Sequence, residues 1–179
     1  MRKIKREIRA VILDFGELTG KEQILVVEAR AARERAQAPY SGYCVGVAIE
    51  SVMGRVYTGC NVERCTFTQT THAEQNAVDT MVRVEGPYAK IRKVVLVAAP
   101  AGNFISLPPV VLGDSIQWID QVPVPCGHCL QIIWENCDGN PNVELIALAS
   151  NGEVVKTTIG DAFPMRFGPE DVLGAHAKL

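Results

Sequence analysis

Two short segments of the chain combine histidine, glutamate and cysteine at spacings that suit metal chemistry. They are H-A-E at residues 72–74 and P-C-G-H-C at residues 125–129. Zinc prefers four tetrahedral ligands, and a catalytic zinc takes three from the protein and leaves the fourth position for water. Cys126 and Cys129 stand three residues apart, so both sulfurs can face one ion from a first helical turn, and His72 is the candidate third ligand. The sequence therefore predicts a zinc site with an open position.

Glu74 follows the candidate histidine ligand by two residues and is the candidate general base. A carboxylate at such a site can take a proton from water, deliver it to a ring nitrogen of a substrate and later protonate a departing amine. The pattern H-x-E followed by P-C-x-x-C is typical of zinc deaminases, in which the glutamate is not a ligand. We therefore expect hydrolytic deamination with Glu74 as the catalytic residue.

A structural zinc site is the alternative interpretation of the same residues. Such a site needs a fourth protein ligand, and we expect His128, inside the second motif, to point away from the ion. Both motifs are predicted to begin helices, so the positive ends of the helix dipoles should lower the thiol pKa values of Cys126 and Cys129. The other four cysteines lack a partner at metal-binding spacing, and we expect them to be buried as small apolar side chains. They are Cys44, Cys60, Cys65 and Cys137.

Composition and charge narrow the class of protein. The chain has 179 residues, of which 47% are apolar and 21% charged, as expected for one globular domain. A formal net charge of −2 argues against a protein whose main role is to bind nucleic acid through its phosphates. The sequence shows no apolar run long enough for a membrane span and no secretory signal, so we expect a cytoplasmic protein with reduced thiols.

The first residues differ in charge from the rest of the chain. Residues 2–9 hold five basic side chains and one acidic one. Ile4, Ile8, Val11 and Ile12 fall at helical spacing, which predicts a basic amphipathic helix or arm within residues 1–19.

The apolar periodicity of the remaining chain alternates between helix and strand, which indicates an α/β fold with five strands. The predicted helices cover residues 21–36, 73–84 and 126–136, and the predicted strands cover 43–50, 52–59, 94–99, 143–149 and 154–158. The side chains expected to face the core are Ile24, Leu25, Val27 and Ala31 on the first helix, Ala73, Ala77, Val78 and Met81 on the second, and Leu130, Ile133 and Trp134 on the third.

Five segments, in order along the chain, together resemble the cytidine deaminases that act on free nucleosides. They are residues 38–48 (APYSGYCVGVA), 57–63 (YTGCNVE), 72–77 (HAEQNA), 125–129 (PCGHC) and 163–173 (FPMRFGPEDVL). The resemblance implies one domain over residues 1–179 with a three-layer α/β/α fold around a mixed five-stranded sheet. It also implies zinc-dependent hydrolysis of cytidine and 2′-deoxycytidine to uridine and 2′-deoxyuridine, with release of ammonia in pyrimidine salvage.

The resemblance further implies which residues bind the nucleoside. By this likeness Asn61 and Glu63 hold a ribose hydroxyl, and Ala73 contacts the substrate. Tyr43, where the family usually has phenylalanine, lines the pyrimidine pocket, and Phe167 stacks near the base in its own or a neighbouring subunit. The likeness implies a homodimer or homotetramer with shared pockets, with no membrane and no nucleic acid as partner.

Two departures from the family pattern leave alternatives open. Leu130 stands where the family commonly has arginine, and residues 100–125 form an apolar, proline-rich insert before the second zinc motif. We expect this insert to cover the pocket or to pack at a subunit interface, and so to alter which nucleosides enter. The alternatives are a deaminase for a modified cytosine nucleoside, an antibiotic or a base in nucleic acid, and a catalytically silent zinc-binding or interaction domain.

Overall fold

The structure, a computed structural model, describes residues 1–102, 116, 122–149 and 151–168. The described strands are β1 (Val11–Leu13), β2 (Tyr43–Ser51), β3 (Val56–Cys60), β4 (Ile91–Pro100), β5 (Glu144–Leu148) and β6 (Val154–Thr158). The described α-helices are α1 (Gly20–Arg33), α2 (Ala73–Glu85), α3 (Gly127–Asn136) and α4 (Ile159–Ala162). In this part of the chain, no helix is both long and apolar enough to cross a membrane.

The strands form one mixed sheet in the order β1-β6-β5-β4-β2-β3, in which β4 and β5 run parallel and the other neighbours antiparallel. Successive side chains of a strand point to opposite faces. In β4, Val95 and Val97 therefore pack with α1, whereas Val94 and Leu96 pack with α2 and α3. This arrangement confirms the predicted three-layer α/β/α fold.

The sheet has six strands where the sequence predicts five, and the additional strand lies where the sequence predicts a helix. Residues 1–10 contain no helix, and β1 pairs with β6, with Val11 opposite Lys156. Arg6 anchors this basic arm by donating to the carbonyl oxygens of Pro164, at 2.7 Å, and Gly160, at 2.9 Å. The prediction of an N-terminal helix is therefore wrong. The main-chain groups of β1 pair with the edge of β6 instead, and the helical spacing of the apolar residues gives no sign of this pairing.

The sequence predicts the bounds of the helices well, but it predicts the wrong buried face for α1. The expected inward faces of α2 and α3 are confirmed. In α1, however, Ile24 and Val27 are 58% and 44% exposed, and Val26 and Ala29 are fully buried in their place. Leu25 is buried as expected, whereas the prediction is also wrong for Ala31, which is exposed.

Close contact between α2 and β3 fixes the start of α2, and it depends on Gly59. A Cβ atom at this position would lie 2.6 Å from the main-chain nitrogen of Ala77 and would also clash with the carbonyl oxygen of Ala73. Any larger residue would push α2 away from the sheet. Since His72 and Glu74 stand at the start of α2, Gly59 contributes to their position.

A cluster of four charges, in which Glu22 is buried and the other three side chains are partly buried, fixes α1 to the sheet. The Glu22 carboxylate in the first turn of α1 is 2.6 Å from Lys93 Nζ and 2.7 Å from Lys156 Nζ. Both lysines also contact Glu144, at 2.6 and 2.8 Å. Burial raises the pKa of Glu22, but hydrogen bonds from Lys156, Lys93 and Thr19 outweigh burial and lower that pKa to about 2.

Substitution Glu22→Gln should destabilise the fold at neutral pH because it leaves Lys93 and Lys156 with one carboxylate between them. We expect a loss of about 3 kcal/mol in the free energy of unfolding, as when one partner of a buried ion pair is removed. The native carboxyl titrates near 2, below its ordinary 4.5, so its stabilisation is complete above pH 4.5 and disappears as the pH falls through 2. Urea unfolding at pH 7 and pH 3 measures both effects.

Glu28→Gln, an exposed carboxylate on the same helix, is the matched control and should change stability by less than about 0.5 kcal/mol. Equal losses in the two variants, or a deficit of the Glu22 variant that does not shrink at acidic pH, would contradict the assigned role of the cluster.

Candidate active site

The two predicted metal motifs lie at the starts of two helices that pack against each other. His72 is the N-cap of α2 and Cys126 is the N-cap of α3, both with extended backbone. Neither side chain makes a capping hydrogen bond to its own helix, so both are available to a shared ligand. Cys129 follows in the first turn of α3 and is completely buried.

The three side chains converge on one point. His72 Nδ1 lies 3.3 Å from Cys129 Sγ and 3.5 Å from Cys126 Sγ. A tetrahedral zinc bound by nitrogen and sulfur places those two ligand atoms about 3.6 Å apart. Among the residues that the structure describes, this is the one group of three or more potential ligands close enough to hold a metal ion. The geometry therefore fits zinc.

The electrostatics of the site also favour a cation. Burial raises the pKa of the Cys129 thiol, and the neighbouring Glu74 carboxylate and Cys126 raise it further. The expected lowering by the helix dipole is thus wrong for Cys129, because burial and like charge outweigh the dipole. A divalent cation held by the three ligands would reverse this effect, since metal binding deprotonates a coordinating thiol.

Glu74, the predicted general base, lies beside the metal ligands. It lies in the first turn of α2, is 5% exposed and contacts Cys129 through its carboxylate. It is not a member of the metal-binding group. Its carboxylate is therefore held beside the metal position and also lines the adjoining cavity.

The cavity beside the metal ligands has a volume of about 370 Å³, within the range of small-molecule sites. His72, Glu74 and Cys126 line the part of it that we call the metal end. Ser41 and Glu63, which lie outside the metal-binding group, line the part that we call the polar end, and apolar side chains complete the walls. The wall residues are Tyr43, Val45, Leu96, Ala98, Pro123 and Val124.

Glu63 is held in place at the polar end by the preceding loop. Its carboxylate accepts hydrogen bonds from the Ser41 hydroxyl at 2.5 Å and from the main-chain N–H groups of Tyr40 and Ser41 at 2.9 and 3.2 Å. The hydroxyl bond is the main cause of a lowered pKa for Glu63, followed by the Tyr40 N–H. The group is therefore an ionised hydrogen-bond acceptor facing the cavity.

Asn61 lines the cavity and also fixes the neighbouring strand. Its Oδ1 accepts from the Val45 N–H at 2.9 Å, and its Nδ2 donates to the Tyr43 carbonyl at 2.9 Å. The side chain thus holds the start of β2, including two wall residues of the cavity. Neither this task nor the support of Glu63 by Ser41 is visible in the sequence, because both depend on how the loop folds back.

Phe167 is not part of the cavity of its own chain. It is 59% exposed, and its carbonyl oxygen accepts from Gln131 Nε2 at 3.0 Å on the outer side of α3. The other residues predicted to bind substrate, including Ala73, do line the cavity. Residues 103–115 and 117–121 of the predicted insert and 169–173 of the last similar segment lie outside the described residues.

The remaining histidine and cysteines have other surroundings. The exposed ring of His128 is not a metal ligand and packs edge-on against His72, with ring centroids 5.6 Å apart. All six cysteines are free thiols. Cys137 is buried as predicted, Cys44 and Cys60 are half-buried, and the prediction is wrong for Cys65, which is exposed.

Comparisons with known proteins agree with this geometry. Residues 4–106 match the family described as the cytidine and deoxycytidylate deaminase zinc-binding region, a match that contains His72 and Glu74 and ends before the second motif. A cytidine deaminase of Sporosarcina psychrophila is 32% identical over 83% of this chain and 92% of its own length. One of Halalkalibacterium halodurans is 31% identical over 84% of this chain and 96% of its own length.

A solved structure shows the same fold. The crystal structure of the cytidine deaminase from Burkholderia pseudomallei superposes with a TM-score of 0.62 at 29% identity, and covers 84% of this chain and all of its own. The matched family region covers more than half of the chain, and the ligand cluster, the buried glutamate and the fold all accompany it. On this evidence the chain belongs to the cytidine and deoxycytidylate deaminase family.

Proposed function

We propose that this chain is a zinc-dependent hydrolase that converts cytidine and 2′-deoxycytidine to uridine and 2′-deoxyuridine and releases ammonia. The observation that carries the proposal is the meeting of three metal ligands with a buried carboxylate that is not a ligand, at one end of a cavity of nucleoside size. The named relatives, all cytidine deaminases, support cytidine as the substrate.

His72, through Nδ1, and the sulfurs of Cys126 and Cys129 would hold the zinc ion. When bound, zinc acts as a Lewis acid that makes water a stronger acid and nucleophile at neutral pH. His72 and Cys126 line the cavity together with Glu74, so a zinc ion held there would adjoin the cavity. The substrate therefore approaches from the cavity.

Glu74 carries the protons of the reaction. It accepts a proton from the attacking water, delivers it to the ring nitrogen next to the reacting carbon and later transfers a proton to the departing amine. Water thus supplies the oxygen of the uracil ring, the hydrogen gained by the ring nitrogen and one hydrogen of ammonia. The other two hydrogens of ammonia come from the amino group of the substrate. Burial of Glu74 in the first turn of α2 keeps its carboxylate at a fixed distance from the site of attack.

The polar end of the cavity binds the sugar, and the walls hold the base. The ionised Glu63 carboxylate accepts from a ribose hydroxyl, assisted by Asn61. Tyr43 forms part of the wall around the pyrimidine. The main-chain N–H of Ala73, at the first position of α2, has no partner within the helix and can donate to the ring carbonyl.

The functional unit is a homodimer or homotetramer in which Phe167 contributes to a neighbouring pocket. The exposure of Phe167 outside the cavity of its own chain supports this arrangement. The free state of all six thiols supports a reducing compartment, the cytoplasm.

Glu74→Gln should separate metal binding from catalysis. The amide fits the same space but cannot accept a proton, so kcat should fall by at least about 10²–10⁴-fold, the range for loss of a general acid-base group. Zinc content should stay at one ion per chain, because Glu74 is not a ligand. Elemental analysis and the absorbance change on conversion of cytidine to uridine test the two statements, and turnover near that of the native chain would exclude Glu74 as the base.

Cys126→Ala should lose both zinc and activity, because two remaining ligands hold the ion too weakly. Cys65→Ala is the matched control, since this cysteine is exposed and lies outside the metal-binding group. The control should keep one zinc ion and full turnover. A Cys126 variant that retains its zinc through dialysis against a chelator would contradict the ligand assignment.

Glu63→Gln should weaken substrate binding more than chemistry, because Glu63 lines the cavity but is not a member of the metal-binding group. We expect KM for cytidine to rise about tenfold or more, since a charge-assisted hydrogen bond is replaced by a weaker one. With 2′,3′-dideoxycytidine, which lacks the 2′- and 3′-hydroxyls that Glu63 is proposed to bind, the native chain and the variant should differ little. An equal loss with both substrates would show that Glu63 does not bind the hydroxyl.

A further inference from the structure

One wall of the cavity is made by a segment with unusually little conformational freedom. Residues 122–125 read Val-Pro-Val-Pro, directly before Cys126. Each proline fixes its own φ angle and restricts the residue before it to extended backbone, so both valines are constrained. Val122 is buried and packs with Ala147 and Val155 of the sheet. The segment is therefore rigid and anchored at its first residue.

Val124 lines the cavity and is the most exposed residue of this segment. It is 50% exposed and lines the cavity together with Pro123, whereas Pro125 is buried. Two residues span at most about 7 Å of extended chain, so Val124 lies close to Cys126 at the metal end. A β-branched side chain on rigid backbone has little freedom to move aside for a ligand.

We propose that Val124 is a specificity-determining residue that limits the size of substituents next to the reacting carbon of the cytosine ring. This inference rests on the proposed function. In cytidine the sugar is attached to the ring nitrogen opposite the reacting carbon. With the ribose at Glu63 and the reacting carbon at the metal ligands, the exocyclic amine and ring carbon 5 both lie at the metal end. Groups attached there meet the wall that Val124 forms.

Other wall residues are less suited to this selection. Leu96 and Ala98 belong to β4, in the middle of the sheet, and are almost completely buried. The main chain of Tyr43 is held by Asn61 at the start of β2, and Tyr43 is not adjacent in sequence to a metal ligand. Val124 alone among these four combines an exposed side chain, a rigid backbone and adjacency to a metal ligand.

The test compares kcat/KM for cytidine, 5-methylcytidine and N4-methylcytidine in Val124→Ala and Val124→Leu. One methylene of pocket space discriminates between substrates by roughly 10- to 200-fold. Val124→Ala should therefore raise the ratio of at least one methylated substrate to cytidine about tenfold, and Val124→Leu should lower the same ratio. Because the two variants are expected to move the ratio in opposite directions, a general loss of folding or activity cannot imitate the result.

Val84→Ala is the matched control, since Val84 is 48% exposed on α2 and lies outside the cavity. It should leave both ratios unchanged. If cytidine is turned over but neither ratio moves in the Val124 variants, or both variants move it the same way, the role of Val124 is overturned while the proposed function stands. If the native chain turns over none of the three nucleosides, the proposed function is overturned, and this role with it.

Discussion

The position of every reactive group in this protein depends on how closely the first turns of α2 and α3 approach each other. The ligand atoms of His72 and Cys129 are 3.3 Å apart, although 56 residues separate them in sequence. That distance is set by the core behind the helices, where Met81 of α2 and Ile133 of α3 are fully buried in one cluster. It is also set by Gly59, which lets α2 lie directly on β3. A change of about 1 Å in either contact would alter the metal geometry, since zinc–ligand distances vary by only a few tenths of an ångström.

The same close approach creates an electrostatic problem that the protein chain alone does not solve. Cys129 is fully buried beside the Glu74 carboxylate, and each interaction that shifts its pKa does so upward. Leu130, where the family commonly has arginine, is buried in the apolar core and adds no positive charge. Zinc therefore has two tasks in this site: it takes part in the chemistry and it supplies the charge that lets two thiols and a carboxylate share one small volume.

The sequence predicted the metal motifs correctly but missed strand β1 and the orientation of α1, and both outcomes have physical reasons. The metal ligands and Glu74 stand in two short motifs whose spacing follows from helix geometry, so local sequence was sufficient. Strand β1 was missed because its partner, β6, lies more than 140 residues away, and pairing at a sheet edge leaves little trace in local periodicity. The rotation of α1 was also missed, since the ion cluster around the buried Glu22 fixes that helix through charges that apolar patterning ignores.

The residues that shape the cavity were predictable only in part. Glu63 and Tyr43 were found through the resemblance, but the contacts that hold them were not, because serine and asparagine have many uses and only the folded loop shows which one applies. The insert contributes Pro123 and Val124 to the cavity wall, and its influence on which nucleosides enter stays a prediction. Residues 103–115 and 117–121 lie outside the described residues.

The burial of Glu74 argues most directly against a catalytically silent zinc domain. A carboxylate that is 5% exposed beside a buried thiol is unfavourable for folding, because burial removes the carboxylate from water and the carboxylate opposes ionisation of the thiol. A structural zinc site gains nothing from such a neighbour, since three ligands and a fourth protein atom suffice. Groups that are costly to bury persist where they serve chemistry, and proton transfer at a metal is a reaction that needs a carboxylate at this position.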